Sequence, residues 1–307
     1  RALGSVGSTS LLVTLFTGFL IGMGAGVNVR VAHGLGAGNQ KETEETIHSS
    51  FLICLVTGLI ICVVGLTSSR AFLALLHTKD ELMEGAVNYL RIYSLGMPAL
   101  GLYNFGNGVM SARGDTKRPL VYLLIAGVLN VIMNLIFVIG LHMAAEGVAI
   151  ASVMAQYTSA GLVLHHLWRR RDVCRLQLRK VRFHRMAGQA VLMLGIPGGL
   201  QQAIFAIANL FVQAGVNSFD AVTVSGNAAA ANTDPLVYNS MFAFYTACAS
   251  FMSRNLGAGK KERVLKSYFI CLTYAFSIGA VLGGFFFLFG DGFLSLFETE
   301  SAVIHSG

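Results

Sequence analysis

Eight long apolar stretches constrain this chain most, because each is about as long as a helix that crosses a lipid bilayer. A hydrocarbon core about 30 Å thick needs about 20 apolar residues in a helix. The stretches lie at residues 11–31, 51–67, 89–110, 120–143, 147–168, 191–216, 222–252 and 265–289. Only 12% of the residues are charged, against about 25% in soluble domains. We therefore predict an all-α, polytopic membrane protein with eight transmembrane helices in this chain.

The basic residues indicate how the spans are oriented. If the spans alternate in direction, 18 of the 22 Lys and Arg residues fall on one side of the membrane. The other side holds Arg1, Arg70 and Lys79, and Arg91 lies just inside the third span. Cytoplasmic loops are rich in Lys and Arg, so the basic side is predicted to be cytoplasmic. The net charge of +7 is thereby explained, and no nucleic-acid partner is expected.

A repeat divides the chain into related parts. LGAG at 35–38 recurs at 256–259, and at the same offset of 221 residues FLALLHT at 72–78 matches FLSLFET at 293–299. We interpret each LGAG as a helix stop followed by a turn, because glycine permits the left-handed backbone that such turns need. A phosphate-binding loop is disfavoured, since neither copy reads GxGxxG or ends in Gly-Lys-Ser/Thr.

The frame of this repeat predicts the architecture of a larger molecule. By the 221-residue offset, one further span is expected before residue 1 and three beyond residue 307. The expected whole has twelve spans in two lobes that are parallel repeats about an axis along the membrane normal. Within this chain we predict a first lobe at 1–167, a basic cytoplasmic linker at 168–186 and a second lobe at 187–307.

Glycines at a spacing of four predict where helices pack closely. They are Gly18, Gly22 and Gly26 in the first span, Gly195 and Gly199 in the sixth, and Gly279 and Gly283 in the eighth. Small residues at this spacing let two helix backbones approach each other in a membrane.

Asp234 is the one acidic residue predicted to lie well inside a span. A charged Asp at the bilayer centre costs roughly 2.5 to 3.5 kcal/mol, so it needs water, a partner or a proton. Its neighbour Pro235 removes the backbone hydrogen bond to the carbonyl of Ala231. Two interpretations stay open, a cation site at a broken helix and a structural Asp in a helix kink.

Amide side chains recur at helical spacing in four spans. The sixth span carries Gln202, Asn209, Gln213 and Asn217, the fourth Asn130 and Asn134, the third Asn104 and Asn107, and the seventh Asn227 and Asn232. Any one of these side chains can form a hydrogen bond to a neighbouring helix. Their presence in four spans favours a shared polar chamber. Tyr and Phe side chains would line it as well, which suits flat organic cations.

The residues show no pattern typical of an enzyme or a metal site. The five cysteines have no CxxC spacing, and the eight histidines form no HExxH. No nucleophile is accompanied by a base. We therefore expect no catalytic activity, no bound metal and no cofactor.

A succession of motifs resembles the multidrug and toxin extrusion (MATE) family. The motifs are LGAG at 35–38, YLRIYSLGMPALGLYNFGNG at 89–108, GDTKRPL at 114–120, LNVIMN at 129–134, EGVAIAS at 146–152, LGIPGGLQ at 194–201 and LGAGKKER at 256–263. The resemblance implies a multi-pass protein of the plasma (inner) membrane, of which this chain covers the second to the ninth of twelve helices. It also implies export of cationic or amphiphilic organic compounds in exchange for H⁺ or Na⁺.

The resemblance also suggests site residues. Proton-coupled relatives often use an Asp in their first helix and an Asn and an Asp one turn apart in the fifth. Asn130 and Asn134 match the Asn and the Asp of the fifth helix, so an amide stands where those relatives have the Asp carboxylate. Ser152 matches a hydroxyl position in the same lobe. Other members, notably sodium-coupled ones, carry a Glu in the seventh helix eight residues after its proline. Here the residue eight positions after Pro197 is Phe205, so that Glu is absent.

The sequence therefore predicts a monomeric secondary active antiporter that exports small organic cations or drugs across the bilayer by alternating access. Two alternatives remain at this point. A flippase for lipid-linked oligosaccharides would need a cationic cavity, and only Arg91 approaches a span interior. A receptor or scaffold that transports nothing would need neither an intramembrane Asp234 nor polar stripes.

Overall fold

The computed structural model describes residues 2–76, 78–216, 227 and 234–294, and within them it contains helices and no β-strand. The α-helices are α1 (Ala2–Gly36), α2 (Gln40–Leu75), α3 (Asp80–Ser94), α4 (Met97–Ala112), α5 (Lys117–Asn134), α6 (Ala145–Arg169), α7 (Arg185–Val216), α8 (Asp234–Gly257) and α9 (Lys261–Leu294). A π-helix (Leu135–Gly140) extends α5, and a short 3₁₀ helix (Leu178–Lys180) lies between α6 and α7. The all-α class is confirmed.

Six stretches of the described helices are long and apolar enough to cross a membrane. They are Thr9–Gly36, Gln40–Leu75, Lys117–Gly140, Ala145–Arg169, Arg185–Asn209 and Lys261–Gly290. Each corresponds to one of the eight predicted spans. The predicted seventh span, 222–252, is described continuously only from Asp234, where α8 begins.

The prediction of one continuous third span over 89–110 is wrong, because the chain breaks there between α3 and α4. Pro98 lies in the first turn of α4. A proline has no N–H to donate to the carbonyl four residues earlier, which here belongs to Ser94, the last residue of α3. The backbone closes the break with tighter turns, in which the N–H groups of Leu95 and Gly96 donate to the carbonyls of Ile92 and Tyr93. Two shorter helices therefore replace one.

The two LGAG segments fold into the same turn, as predicted. Gly38 has φ 67° and Gly259 has φ 71°, and both lie where α1 and α8 have just ended. In the first copy the N–H of Asn39 donates to the carbonyl of Gly34 (3.2 Å), and in the second that of Lys260 donates to Asn255 (2.9 Å). These six-to-one bonds after a left-handed glycine define a Schellman helix stop.

Glycines also bring α1 into direct contact with its neighbours, as their spacing predicts. A Cβ atom placed on Gly22 would overlap the backbone of Gly198 and Gly199 on α7, and one on Gly26 would lie 2.7 Å from the backbone nitrogen of Gly195. On another side of α1, a Cβ on Gly24 would lie 2.9 Å from the carbonyl oxygen of Asn104 on α4. No larger residue fits at these crossings without displacing a helix.

The chain divides into two compact units, Arg1–Ala206 and Ile207–Gly307, with the boundary inside α7. The main core of the first unit joins α1, α2, α4 and α6 and includes buried Val27, Phe105 and Val163. Cys174 and Leu176 of the linker belong to the same core. In the second unit α8 packs along α9, with the rings of Phe244 and Tyr274 6.2 Å apart. The division into lobes at residues 168–186 stays a prediction.

Candidate functional site

The candidate site lies where α5 contacts α6, on a pair of otherwise apolar helices. Much of the surface of α5 is exposed Leu, Ile and Val, for example Leu124 (59% exposed) and Val128 (61% exposed). In a bilayer such a surface faces lipid. Asn130, Asn134 and Ser152 are half-buried between the two helices. The helical spacing of four residues places both asparagines on one face of α5.

These three side chains form a continuous chain of hydrogen bonds. The side-chain amide of Asn134 donates from Nδ2 to Oδ1 of Asn130 (3.1 Å). Nδ2 of Asn130 in turn donates to Oγ of Ser152 (3.4 Å). The hydroxyl of Ser152 donates to the carbonyl of Val148 one turn back in α6 (2.9 Å). The structure thus brings together all three residues that the family resemblance indicates.

The polar chain ends on a free acceptor. Oδ1 of Asn134 is shielded from solvent and accepts no hydrogen bond from any described residue. A carbonyl-type oxygen in this state can accept from an ammonium group or coordinate a small cation, because an unpaired buried acceptor costs roughly 1 to 3 kcal/mol. None of the three side chains titrates near neutral pH, so the chain can contact a cation but cannot itself gain or lose a proton.

A π-helix begins immediately after Asn134. It covers Leu135–Gly140, and the N–H of Leu141 donates five residues back to the carbonyl of Ile136 (2.9 Å). His142 follows with φ 52°, which is unusual for a residue with a side chain. π-helical turns within α-helices often occur at functional sites. This π-helix could not be predicted, because its LIFVIG segment fits an ordinary apolar helix equally well.

Gln156 extends the polar face of α6 by one turn beyond Ser152 and is not among the predicted site residues. Its Oε1 occupies the space that a Cβ on Gly96 would need. The hydroxyl of the next residue, Tyr157, donates to the carbonyl of Leu95 (3.0 Å). Two consecutive residues of α6 therefore hold the break between α3 and α4. The four-residue spacing of Ser152 and Gln156 was the available signal.

The remaining predicted site residues lie elsewhere. Gln202 on α7 packs against α1. A Cβ added to Gly18 of α1 would lie 2.9 Å from the Cβ of Gln202. Asn209 is exposed in the second unit, and Asn227 is half-buried. Asp234 is the first residue of α8, but its side chain lies outside the described residues, as does the whole of Asn232. The shared chamber that would join these residues to α5 stays a prediction.

The asparagines of the broken third span have local roles. Asn104 on α4 is buried, and its Nδ2 donates to the carbonyl of Leu100 one turn back (2.9 Å). Asn107 accepts a hydrogen bond from the hydroxyl of Ser111 (3.3 Å). Arg91 is exposed on α3, where its Nε donates to the carbonyl of Leu66 (3.2 Å). Among the described residues, His, Cys, Asp and Glu form no group able to hold a metal ion.

The sequence profile of the MatE family matches the chain over two segments, residues 1–136 and 197–307. The chain belongs to the MatE family. It is a multi-pass membrane protein, as members of this family are, and the apolar helices described above agree with that. The two matched segments contain the two LGAG turns.

Several curated relatives are similar over nearly the whole chain. The probable multidrug resistance protein YpnP of Bacillus subtilis is 27% identical over 309 residues, which cover 100% of this chain and 68% of that protein. The probable multidrug resistance protein NorM of Thermotoga maritima is 22% identical, covering 99% and 66%. The FAD transporter of Shewanella oneidensis is 21% identical, covering 99% and 68%. The chain thus spans about two thirds of their length.

Solved structures share the fold. A MATE protein in complex with MaD3S superposes with a TM-score of 0.89 at 21% identity, covering 99% of this chain and 69% of that one. An outward-facing multidrug resistance MATE family transporter superposes with a TM-score of 0.88 at 22% identity, covering 98% and 68%. At this identity the superpositions establish the fold.

Proposed function

We propose that this chain belongs to a secondary active antiporter that exports organic cations or amphiphilic drugs in exchange for H⁺ or Na⁺. The main observation in support is the chain of hydrogen bonds from Asn134 through Asn130 to Ser152, which lies between the apolar helices α5 and α6. Buried amides in a membrane need a role that offsets their desolvation. Membership of the MatE family supports transport as that role.

In this proposal the free Oδ1 of Asn134 contacts the cationic part of the cargo or the coupling ion. The neighbouring π-helix supplies backbone that can rearrange when the lobes rock, since its hydrogen-bond pattern is already displaced from that of an α-helix. Asp234 is the proposed carboxylate that binds the exchanged H⁺ or Na⁺. Gln202, Asn209, Asn227 and Asn232 are proposed to line the rest of the pathway.

The alternatives have less support. A flippase for a pyrophosphate-linked cargo needs clustered bases inside the membrane, whereas Arg91 is exposed and bound to a backbone carbonyl. A receptor or scaffold would gain nothing from an unpaired acceptor at Asn134. Two of the relatives quoted above are named probable multidrug resistance proteins, and the third is named FAD transporter. An anionic flavin is therefore the informative second cargo to test.

The test is export of a fluorescent organic cation, ethidium, by the complete protein in proteoliposomes with an imposed H⁺ or Na⁺ gradient. We expect gradient-dependent export, and the gradient that drives it identifies the coupling ion. Export of ethidium without either gradient would contradict antiport. Export of FAD in place of ethidium would replace the proposed cargo class.

Substitutions then test the site. Asn130→Leu and Asn134→Leu should each lower the export rate about tenfold, the equivalent of 1.4 kcal/mol. Val131→Leu is the matched control, because Val131 is 58% exposed on α5 between the two asparagines. Asp234→Asn should reduce ion-coupled export without loss of expression. Unchanged export by Asp234→Asn would remove this residue from the mechanism.

A further inference from the structure

A basic cavity lies at the end of α6, away from the polar chain. It has a volume of about 360 Å³ and is lined by His165, Trp168, Arg169, Arg170, Arg171 and Arg175. Four of these six residues are arginines and none is an acid. The residues span the last turn of a membrane-crossing helix and the first residues of the linker. The cavity therefore lies where α6 leaves the bilayer.

Three of the arginines are free to bind a ligand. Asp172 is the nearest acid in the chain, and it pairs with Arg170 and with Arg113. Burial raises the pKa of Asp172, but the adjacent guanidinium groups of Arg170 and Arg113 hold the pKa below its ordinary value. The carboxylate is thus fully charged and fully engaged. Arg169, Arg171 and Arg175 are exposed and form no ion pair with any described acid.

Arg170 adds an unsatisfied donor. Its side chain is 13% exposed, and its Nε donates to the carboxylate of Asp172 (3.1 Å). Its Nη1 is buried and has no partner among the described residues. An unpaired guanidinium N–H is a strong donor to phosphate oxygens.

The linker that carries these arginines is fixed in place. Cys174 and Leu176 are buried in the core of the first unit, and the N–H of Leu176 donates to the carbonyl of Leu167 (3.1 Å). Farther along, the N–H of Gln177 donates to Nε2 of buried His48 (3.1 Å), whose Nδ1–H donates to the carbonyl of Glu44 (2.7 Å). The basic side chains are therefore presented from a rigid backbone and need little ordering to bind.

Trp168 indicates what the ligand is attached to. It is the only tryptophan in the sequence and is 58% exposed at the end of α6. Tryptophan is enriched at the boundary between hydrocarbon and headgroups. Clusters of Lys and Arg directly on the cytoplasmic side of a transmembrane helix attract anionic lipids. The cavity thus combines an interfacial aromatic with four guanidinium groups.

We propose that this cavity binds the phosphate headgroup of an anionic phospholipid. Arg169, Arg171 and Arg175 supply its charge, Arg170 donates from inside, and Trp168 lies beside the first part of the acyl chains. The cavity lies at the opposite end of α6 from Ser152, and the proposal does not depend on the proposed cargo.

The test is lipid retention by the complete protein in detergent, measured by native mass spectrometry with phosphatidylglycerol and phosphatidylcholine of equal chain length. The Arg169→Gln, Arg171→Gln and Arg175→Gln triple variant should bind phosphatidylglycerol about 100-fold more weakly, as expected for three interfacial bases. The matched control removes three exposed bases elsewhere, by Lys260→Gln, Lys261→Gln and Arg263→Gln. It should bind like the parent protein.

Several results would overturn the proposal. They are unchanged binding by the triple variant, an equal loss in the control, or no preference of the parent for the anionic lipid. Competition by inorganic phosphate or RNA at the same concentration as the lipid would assign the site to a soluble anion or a nucleic acid. Should the triple variant fail to fold, Trp168→Ala with Arg171→Gln gives the same comparison. Because the readout is lipid binding, it is independent of whether the protein exports drugs.

Discussion

The hairpins α1–α2 and α8–α9 have turns of the same backbone conformation but differ in the helix burial and the side-chain contacts around them. Each turn has a left-handed glycine, at Gly38 and Gly259, and the same three backbone hydrogen bonds 221 residues apart. In the most apolar stretch of α2, 33% of the residues are buried within this chain, whereas in the equivalent helix α9 none is. The two turns therefore have the same backbone conformation, although the parts of this chain that pack against the two hairpins differ.

The side chains of the two turns differ as well. In the first hairpin Arg30 forms a salt bridge with Glu42 (2.7 Å), and Asn39 caps α2 by accepting from the N–H of Glu42 (3.1 Å). The positions 221 residues later hold Phe251, Arg263 and Lys260. The two turns therefore have the same backbone conformation although their side-chain contacts differ. The left-handed glycine and the backbone hydrogen bonds suffice to form the turn.

The largest predicted effect concerns the crossing of α1 and α7. Gly22→Leu should destabilise the complete protein by about 1 to 3 kcal/mol, because any Cβ there overlaps the backbone of α7. The matched comparison is Ala243→Leu, at the equivalent position of the second hairpin, where no described helix of this chain crosses and the side chain is exposed within it. It should change stability by less than about 0.5 kcal/mol. Thermal unfolding in detergent measures both, and equal losses would show that the two hairpins pack alike.

An intermediate and equal effect is predicted for the two turns themselves. Gly38→Ala and Gly259→Ala each force a Cβ into the left-handed region, which costs roughly 1 to 2 kcal/mol. No atom lies within 4 Å of either added Cβ, so backbone strain is the only difference. The two variants should lower the unfolding temperature by similar amounts. A lower unfolding temperature for only one of the two variants would show that the two turns do not contribute equally to stability.

The smallest effect is predicted for the salt bridge. Glu42→Gln removes the partner of Arg30, and both side chains are partly exposed, so the loss should be under about 1 kcal/mol. The loss should shrink as salt is added. Arg263→Gln at the equivalent position has no acid partner among the described residues and should show no such dependence. A salt-independent effect of Glu42→Gln would refute an electrostatic contribution.

Much of the fold could be predicted from the sequence, since its strongest signals are local. Apolar length predicted the helices, LGAG predicted both turns, and the spacing of Gly22 and Gly26 predicted a close crossing. The break of the third span could have been read from Gly96 and Pro98, but the continuous apolar pattern across them favoured one helix. Local breakers outweighed hydrophobicity at that point.

The candidate site was only partly predictable. The spacing of Asn130 and Asn134 placed them on one face, but which helix supplies their partner depends on tertiary packing, and only the family resemblance pointed to Ser152. The π-helix after Asn134 has no sequence signal. The predicted cytoplasmic position of the linker can be tested by cysteine labelling, but native Cys174 is buried and cannot report linker accessibility. A cysteine introduced at exposed Arg175 can do so, and it should react only from the cytoplasmic side.

The most direct measurement is the water accessibility of the polar chain between α5 and α6. Asn134→Cys, in the complete protein with its native cysteines replaced, should react with a membrane-impermeant maleimide, and ethidium should slow the reaction. Val131→Cys, three residues earlier on the exposed apolar surface of α5, should not react because it faces lipid. An Asn134→Cys protein that is as inert as Val131→Cys, or equally reactive with and without ethidium, would contradict a transport pathway at this site.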